Sequence, residues 1–260
     1  MKICNHIDSY CQIEKIFIPL SRKILKSVME TMFDTLLQLP LLQGLAREDF
    51  TQILAKVKLS FVKYYSGDVI TKAGNPSRQL IYILKGKYAT DTTSTDGEFN
   101  FIEEWQTPTL LFPQSLFGMN TCYPADCIAL EETHVVAISK EDVLNELFNY
   151  EIFRINYMNI LSNRSQMYLQ KLWVFAYGSI EQRFFNLIFS LSEKPIGKKI
   201  LKINMNHLGK LINTTRLNVS HTLNDLQNQG LINLRRGEII IPALEEVETY
   251  LRTNFPEFQL

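Results

Sequence analysis

Residues 200–241 read ILKINMNHLGKLINTTRLNVSHTLNDLQNQGLINLRRGEIII. Apolar residues at helical spacing predict a short helix over residues 206–212 and a second helix directly after it. The second helix begins with Thr214 or Thr215 as its N-cap and ends at Gly230, because glycine tolerates the left-handed conformation that closes helices. The stretch therefore predicts two helices joined by a tight turn.

The second helix has one apolar face. Val219, Leu223 and Leu226 lie at i, i+4 and i+7 and form the predicted buried stripe. In a helix-turn-helix, the second helix enters the major groove of DNA with its N-terminal residues at the base edges. The predicted DNA-binding residues on this helix and its cap are Thr215, Arg216, Leu217, Asn218, Ser220 and His221.

These residues have different chemical capacities. Arg216 is the best candidate for a bidentate guanine contact or a phosphate clamp. Asn218 and His221 could each read a base edge or touch a phosphate. Leu217 cannot form a hydrogen bond with its side chain, so it could touch a thymine methyl group or pack between protein and DNA backbone.

A β-hairpin with arginines at its tip is predicted after the second helix. Apolar residues over 231–234 and 238–241 flank Arg235-Arg236-Gly237, the pattern of the wing in a winged helix. Residues 179–236 contain nine bases and three acids. We therefore expect Arg235, Arg236 and Lys210 to contact phosphates, which position a protein on DNA without specifying the sequence.

Upstream of this module, the sequence has the period of β-structure. From Phe61 to Ser139, short apolar runs are separated by glycine or Asn-Pro turns every eight to twelve residues, which predicts a jelly roll or barrel. Residues 91–150 contain eleven acids and one base, although the whole chain balances 27 acids against 27 bases. This charge asymmetry indicates separate modules with separate partners.

Between the two modules lies a predicted long helix, from Lys140 to about Ala176. Its seam residues at 3-4 spacing are Ile155, Met158, Ser162, Ser165, Leu169, Leu172 and Ala176. A long helix with such a seam usually buries it against a second copy, which favours a homodimer. Packing along the side of the barrel is the alternative, because the seam has a polar centre.

Other functional classes fit the sequence less well. A cupin-like enzyme would need a cluster of histidine and carboxylate ligands, and the roll contains one histidine, His134. No signal-peptide core opens the chain, and no apolar run approaches the ~20 residues of a membrane span. We expect a cytoplasmic protein with no membrane partner, no enzymatic activity, no metal and no cofactor.

The order of helical start, β-roll, long helix and winged helix resembles the Crp/Fnr family of bacterial transcription regulators. YYSGDVITKAGNPSRQLIYILKGKY (residues 64–88) is similar to the glycine-punctuated strands of that family, and INTTRLNVSHTLNDLQNQGLI (212–232) is similar to its recognition helix. The resemblance covers roughly residues 32–245. Arg216 matches the family's first base-contacting arginine, whereas Leu217 and His221 replace a common glutamate and arginine, so the DNA specificity should differ.

The resemblance also implies an effector pocket between roll and long helix, at Gln114, Ser115, Tyr123 and Tyr168. Members that bind cyclic nucleotides carry a Gly-Glu pair for the ribose and phosphate, and a later arginine. Here Phe112-Pro113 or Pro113-Gln114 stands at the pair, and the later stretch offers Asp126 instead of an arginine. A phosphate beside that acid would be repelled, so we predict that cyclic AMP does not bind.

The predicted architecture is α+β, with an N-terminal jelly-roll β-barrel sensor domain, a long dimerisation helix and a C-terminal winged helix-turn-helix. The predicted domains are an extension over 1–31, the sensor over 32–142, the dimerisation helix over 143–177 and the DNA-binding domain over 178–260. The resemblance implies four partners: double-stranded DNA, a second copy bound through residues 143–177, RNA polymerase and a small-molecule effector of unknown identity.

Two alternatives stay open. The chain could be a nucleotide- or small-ligand-sensing module that regulates a protein partner, which would leave the wing and second helix without a purpose. It could also be a redox-sensing regulator that uses Cys4, Cys11, Cys122 and Cys127, which have the number but not the usual spacing of iron–sulfur ligands.

Overall fold

The structure is a computed structural model, and it describes residues 36–37, 39–172 and 178–255. The predicted N-terminal extension over residues 1–31 lies outside the described residues. Contacts divide the chain into two compact units. The first contains the described residues up to 60 together with residues 137–160, and the second contains residues 61–136 and the described residues from 161 onward.

The first unit is helical. It contains helix α1 (Arg47–Lys56), helix α2 (Lys140–Asn145), a 3₁₀ turn (Leu147–Asn149) and the start of helix α3 (Glu151–Leu172). Asn156 on α3 donates hydrogen bonds from Nδ2 to the carbonyls of Leu41 at 3.3 Å and Gln43 at 2.8 Å. These bonds attach α3 to the turns that precede α1, in which Leu41 is fully buried.

Helix α3 begins at Glu151, later than the long helix predicted from Lys140. The chain turns before it, and the amide of Asn149 caps this turn by donating to the Asn145 carbonyl at 2.6 Å. The turn buries Leu147 and packs the ring of Phe148 5.9 Å from that of Phe153. Packing of these apolar side chains therefore ends the first helical segment. Residues 173–177 of the predicted helix lie outside the described residues.

The strands of the roll are β1 (Leu59–Tyr64), β2 (Val69–Thr71), β3 (Gln79–Lys85), β4 (Lys87–Thr93), β5 (Phe99–Gln106), β6 (Thr109–Leu111), β7 (Asp126–Ala129) and β8 (Thr133–Ser139). Those of the C-terminal module are β9 (Lys199–Ile203), β10 (Asn233–Arg235) and β11 (Glu238–Ile241). They form a four-stranded sheet in the order β1-β8-β3-β6 and a seven-stranded sheet in the order β10-β11-β9-β5-β4-β7-β2.

The predicted α+β architecture is confirmed, but in the part of the chain that the structure describes the two sheets of the roll are open and do not close into a barrel. Among the described strands, β2 and β10 are the two edges of the seven-stranded sheet, and β1 and β6 are the edges of the other. Strand β5 pairs with β4 on one side and with β9 of the C-terminal module on the other. The outer edge of β5 is therefore not available to close the roll on itself.

The C-terminal module has the predicted winged-helix order. Helices α4 (Ile180–Leu191), α5 (Met205–Leu211), α6 (Arg216–Asn228) and α7 (Leu244–Asn254) surround the hairpin of β10 and β11. Ser179 caps α4 through a capping box with Gln182. The predicted stripe of Val219, Leu223 and Leu226 is confirmed, since each is only 1% exposed and belongs to the core of this module.

The turn between α5 and α6 requires a glycine. A Cβ atom on Gly209 would lie 2.8 Å from the carbonyl oxygen of Thr214, a distance that real Cβ atoms essentially never show. The backbone N–H of Thr214 also donates to the Gly209 carbonyl at 2.8 Å. The two helices can therefore approach each other closely only because position 209 lacks a side chain.

We predict that Gly209→Ala destabilises the C-terminal module by about 1–3 kcal/mol, because the added methyl group must push the backbone of the turn aside. This effect opposes the gain in helix propensity that alanine brings. Urea unfolding measures the difference. Asn224→Ala, on the exposed side of α6, is the control and should change stability by less than about 0.5 kcal/mol. Equal stabilities of Gly209→Ala and the wild type would contradict the close approach.

Candidate nucleic-acid interface

The first half of α6 presents an exposed polar face. The predicted DNA-binding residues of this segment are all exposed, namely Thr215, Arg216, Leu217, Asn218, Ser220 and His221. Leu217 is 66% exposed, so its apolar side chain lies on the outer face of the helix among the polar residues. The helix thus buries one stripe in its own module and leaves the opposite face free for a macromolecular surface.

The start of α6 is held in place by local hydrogen bonds. Of the two predicted candidates, Thr215 is the N-cap, and its Oγ1 accepts from the backbone N–H of Asn218 at 3.3 Å. The side-chain amide of Asn218 donates to Thr214 Oγ1 at 3.3 Å. Asn213 has a φ of 50°, and its carbonyl accepts from Arg183 on α4 at 3.0 Å. These bonds orient the N-terminus of α6, where a base-contacting residue must be positioned.

The wing is the predicted hairpin. Arg235 pairs with Glu238 across it, and Gly237 takes a φ of 76° in the turn. The Gln227 side chain on α6 accepts from the Leu234 backbone N–H at 3.0 Å, so helix and wing are connected directly. Arg235 and Arg236 are both exposed at the tip.

Four exposed cationic side chains project from this module. Lys210, Arg216, Arg235 and Arg236 are exposed, and none forms an ion pair or side-chain hydrogen bond within the part of the chain that the structure describes. Lys202, by contrast, is paired with Glu238 at 3.5 Å. Exposed cations around an exposed helix face attract the phosphates of DNA.

The proposed effector residues lie in a region that helix α3 partly occupies. Gln114 and Ser115 belong to a 3₁₀ turn that follows Phe112, which adopts a left-handed φ of 42°. Arg164 of α3 donates to Gln114 Oε1 at 2.6 Å and to the Leu110 carbonyl at 3.3 Å. The guanidinium therefore already uses the side chain that stands near the family's ribose-binding position.

The other two predicted pocket residues are aromatic. The ring of Tyr123 lies 6.3 Å from that of Phe112, and burial raises the pKa of the Tyr123 hydroxyl despite a hydrogen bond with Ser77. Tyr168 on α3 is 44% exposed and has Lys171 Nζ 5.6 Å from its ring centre. A role for these residues in effector binding stays a prediction.

The carboxylate of Asp126 is bonded to two neighbouring residues. It forms an ion pair with Lys72, and its second oxygen accepts from the backbone N–H of Ala73 at 2.8 Å. Partial burial opposes ionisation, but these two bonds outweigh it and hold the pKa of Asp126 below its usual value. The acid predicted to repel a phosphate thus also closes the neighbouring turn.

Two of the four cysteines of the redox hypothesis lie in the described part of the chain, and both are free thiols there. Cys127 is fully buried, and burial raises the pKa of its thiol far above the usual range, which suppresses the reactive thiolate. Cys122 is partly exposed, and Cys4 and Cys11 lie outside the described residues. Within the described ranges, no group of three or more histidine, cysteine or acidic residues could hold a metal ion.

Several structurally important residues were not anticipated from the sequence. Arg164 and Arg183 link elements far apart in the chain, and Glu103 pairs with Lys199 in the sheet. No local spacing connects these partners, because each pair depends on how distant segments pack. Among the helices that the structure describes, none is long and apolar enough to cross a membrane.

Comparison with known proteins supports both modules. Residues 61–150 match the model of the cyclic nucleotide-binding domain, and residues 182–250 match the Crp-like helix-turn-helix domain. The cyclic AMP receptor protein of Thermus thermophilus is 24% identical over 216 residues, which cover 80% of this chain and 96% of the relative. The anaerobic regulatory protein of Pasteurella multocida is 26% identical over 200 residues, covering 72% and 71%.

Among solved structures, the Thermus thermophilus catabolite activator protein matches with a TM-score of 0.46 and 23% identity, over 82% of this chain and 99% of that one. The c-di-GMP responsive regulator CLP of Xanthomonas campestris matches with a TM-score of 0.46 and 18% identity, over 76% and 99%. The two matched domains occur in the expected order, and the second coincides with the exposed helix and wing described above. The chain belongs to the Crp/Fnr family of DNA-binding transcription regulators.

Proposed function

We propose that this regulator binds a two-fold symmetric DNA site as a homodimer, with α6 in the major groove and the wing on the phosphate backbone. The observation that carries the proposal is the exposed N-terminal face of α6, which has Arg216 at its start and unpaired cations around it. Two such helices would have to reach half-sites roughly 34–36 Å apart. Selection of bound fragments from the source genome, followed by anisotropy titrations, tests this function.

The exposed residues of α3 support the homodimer, which we propose forms through residues 143–177. Ile155, Met158 and Leu169 are 43%, 57% and 57% exposed, and the predicted seam residues Ser162 and Ser165 between them are exposed as well. Large apolar side chains at helical spacing favour burial against a second helix.

We further propose that RNA polymerase is a partner and that the protein acts in the cytoplasm, where bacterial DNA is found.

We propose a small-molecule effector other than cyclic AMP. The position of the family's acidic ribose ligand is occupied by Phe112-Pro113 or Pro113-Gln114, and Gln114 is already bonded to Arg164. Asp126 lies in the stretch of sequence where the family carries its phosphate-binding arginine, and it is bonded to Lys72 and Ala73. Neither position offers a free cation for a cyclic phosphate.

We predict that Arg216→Ala lowers affinity for the selected site by about tenfold to a hundredfold and affects random DNA much less, because a bidentate base contact is worth about 1–3 kcal/mol. Arg236→Ala is the matched control. It should weaken both kinds of DNA similarly and lower the slope of log affinity against log salt by about 0.9 for each phosphate that Arg236 neutralises. Anisotropy at several salt concentrations measures both. Equal losses of affinity on both DNAs for Arg216→Ala would reassign this residue to the backbone.

We predict that Leu169→Glu converts the dimer to monomers, because the interface would have to bury an unpaired carboxylate. Sedimentation equilibrium measures the change. Gln170→Glu, which adds the same charge at the neighbouring exposed position, should leave the dimer intact. A dimeric Leu169→Glu variant would place the interface elsewhere.

We predict that cyclic AMP produces no saturable heat when it is titrated into the protein in a calorimeter, because the described residues at the two family positions, Gln114 and Asp126, offer no free cation for its phosphate. The same preparation should bind its selected DNA, which demonstrates that the protein is active. Saturable binding of cyclic AMP would overturn this prediction and the pocket argument together.

A further inference from the structure

Strand β5 of the roll and strand β9 of the winged helix form one continuous sheet. Five residue pairs align antiparallel, from Phe99 opposite Ile203 to Glu103 opposite Lys199. The backbone N–H of Glu104 also donates to the Lys198 carbonyl at 3.1 Å. We call the paired residues 99–104 and 198–203 the β5–β9 junction. Residues 61–136 of the roll and the winged helix lie in the same compact unit, so the junction joins them directly.

Alternate side chains of β5 face the winged helix. Phe101, which is 2% exposed, belongs to the hydrophobic core formed by α4, α5 and α6, and Phe99 packs at its edge. The ring of Phe99 lies 6.1 Å from that of His207 on α5. The roll thus contributes apolar surface to the folded core of the DNA-binding module.

The same face carries a buried ion pair. Lys199 Nζ lies 2.9 Å from Glu103 Oε1, and the two side chains are only 1% and 8% exposed. Both carboxylate oxygens of Glu103 also accept from the backbone N–H of Glu193, at 3.0 and 3.2 Å. Lys199 and Lys194 each place Nζ 5.4 Å from the ring centre of Trp105. Glu103 of the roll and Lys199 of the winged helix therefore compensate each other's charge across the junction.

Helix α3 holds the loop that leads into β9. Glu193 forms an ion pair with Arg164, in which a guanidinium nitrogen lies 2.6 Å from Oε1, and both side chains are largely buried. Lys171 Nζ donates to the carbonyl of Ser192, which is itself 1% exposed. The loop over residues 192–199 is therefore bound to the roll by Glu103 and to the central helix by Arg164 and Lys171.

We infer that Glu103 and Lys199 are positioning residues for DNA recognition: their buried pair locks the winged helix onto the roll of its own chain and thereby sets the orientation of α6. The inference rests on the proposed function, because orientation matters only if α6 binds DNA. In the locked arrangement the face of α6 and the tip of the wing are exposed, so the lock presents them ready for binding. Loss of the pair frees the module, and DNA binding must then supply the ordering.

The test compares Glu103→Gln with the neighbouring pair. Glu103→Gln keeps the shape of the side chain but leaves Lys199 as an unpaired buried charge. Glu104→Gln is the matched control, since Glu104 pairs with Lys198 on the opposite, partly exposed face of the same strands. Exposed pairs contribute little, so the control should behave like the wild type. Glu103→Gln/Lys199→Met removes both charges, and together with the single variants Glu103→Gln and Lys199→Met it completes the double-mutant cycle that measures the coupling between the two residues.

Two measurements are made on the full-length protein. We expect Glu103→Gln to accelerate amide hydrogen exchange at Glu104 and across β9 by roughly tenfold or more, with no change in α6. We expect its affinity for the selected DNA to fall by about tenfold, with partial recovery in the double variant. If Glu103→Gln does not fold, the double variant alone is compared with the wild type in both measurements.

The lock is overturned if the junction amides of Glu103→Gln exchange at the wild-type rate. It is also overturned if these amides exchange at the same rate in Glu103→Gln and Glu104→Gln. Faster exchange with unchanged or higher DNA affinity would overturn the positioning role. If the wild-type protein selects no DNA, the proposed function fails. The exchange measurement then still decides whether the buried pair holds the two modules together.

Discussion

A carboxylate and an ammonium group are buried side by side between strands β5 and β9, and much of the second compact unit depends on this arrangement. Glu103 and Lys199 are nearly inaccessible to water, so each buried group depends on the other as its partner of opposite charge. Burial raises the pKa of the Glu103 carboxyl, and Lys199 opposes that rise. The pair thus requires that the roll and the winged helix stay aligned along their whole junction.

The junction also extends the sheet of the roll into the winged helix. Strand β5 pairs with β4 along one edge and with β9 along the other. The sheet consequently runs from β2, at the far side of the roll, to β10, in the wing whose tip carries Arg235 and Arg236. A roll and a DNA-binding module that share a sheet are mechanically connected, because movement of one against the other must bend or break backbone hydrogen bonds.

At the DNA-binding surface, the protein uses local constraints. Thr215 caps α6, Gly209 lets the turn approach α5, and Arg183 holds the carbonyl of Asn213. These contacts fix the backbone that carries the exposed face. The exposed arginines of this face and of the wing form no ion pair or side-chain hydrogen bond among the described residues, which suits a surface that must bind without reorganising.

The sequence by itself determined the winged helix, including the Thr215 cap, the Gly230 terminus and the buried stripe with Val219, because these signals act within one or two helical turns. It did not determine where α3 begins, since burial of Leu147 and packing of Phe148 end the preceding helix. Only the tertiary structure decided that β5 pairs with β9. Glu103 and Lys199 are 96 residues apart, and no local spacing records a contact that exists only after both modules have folded.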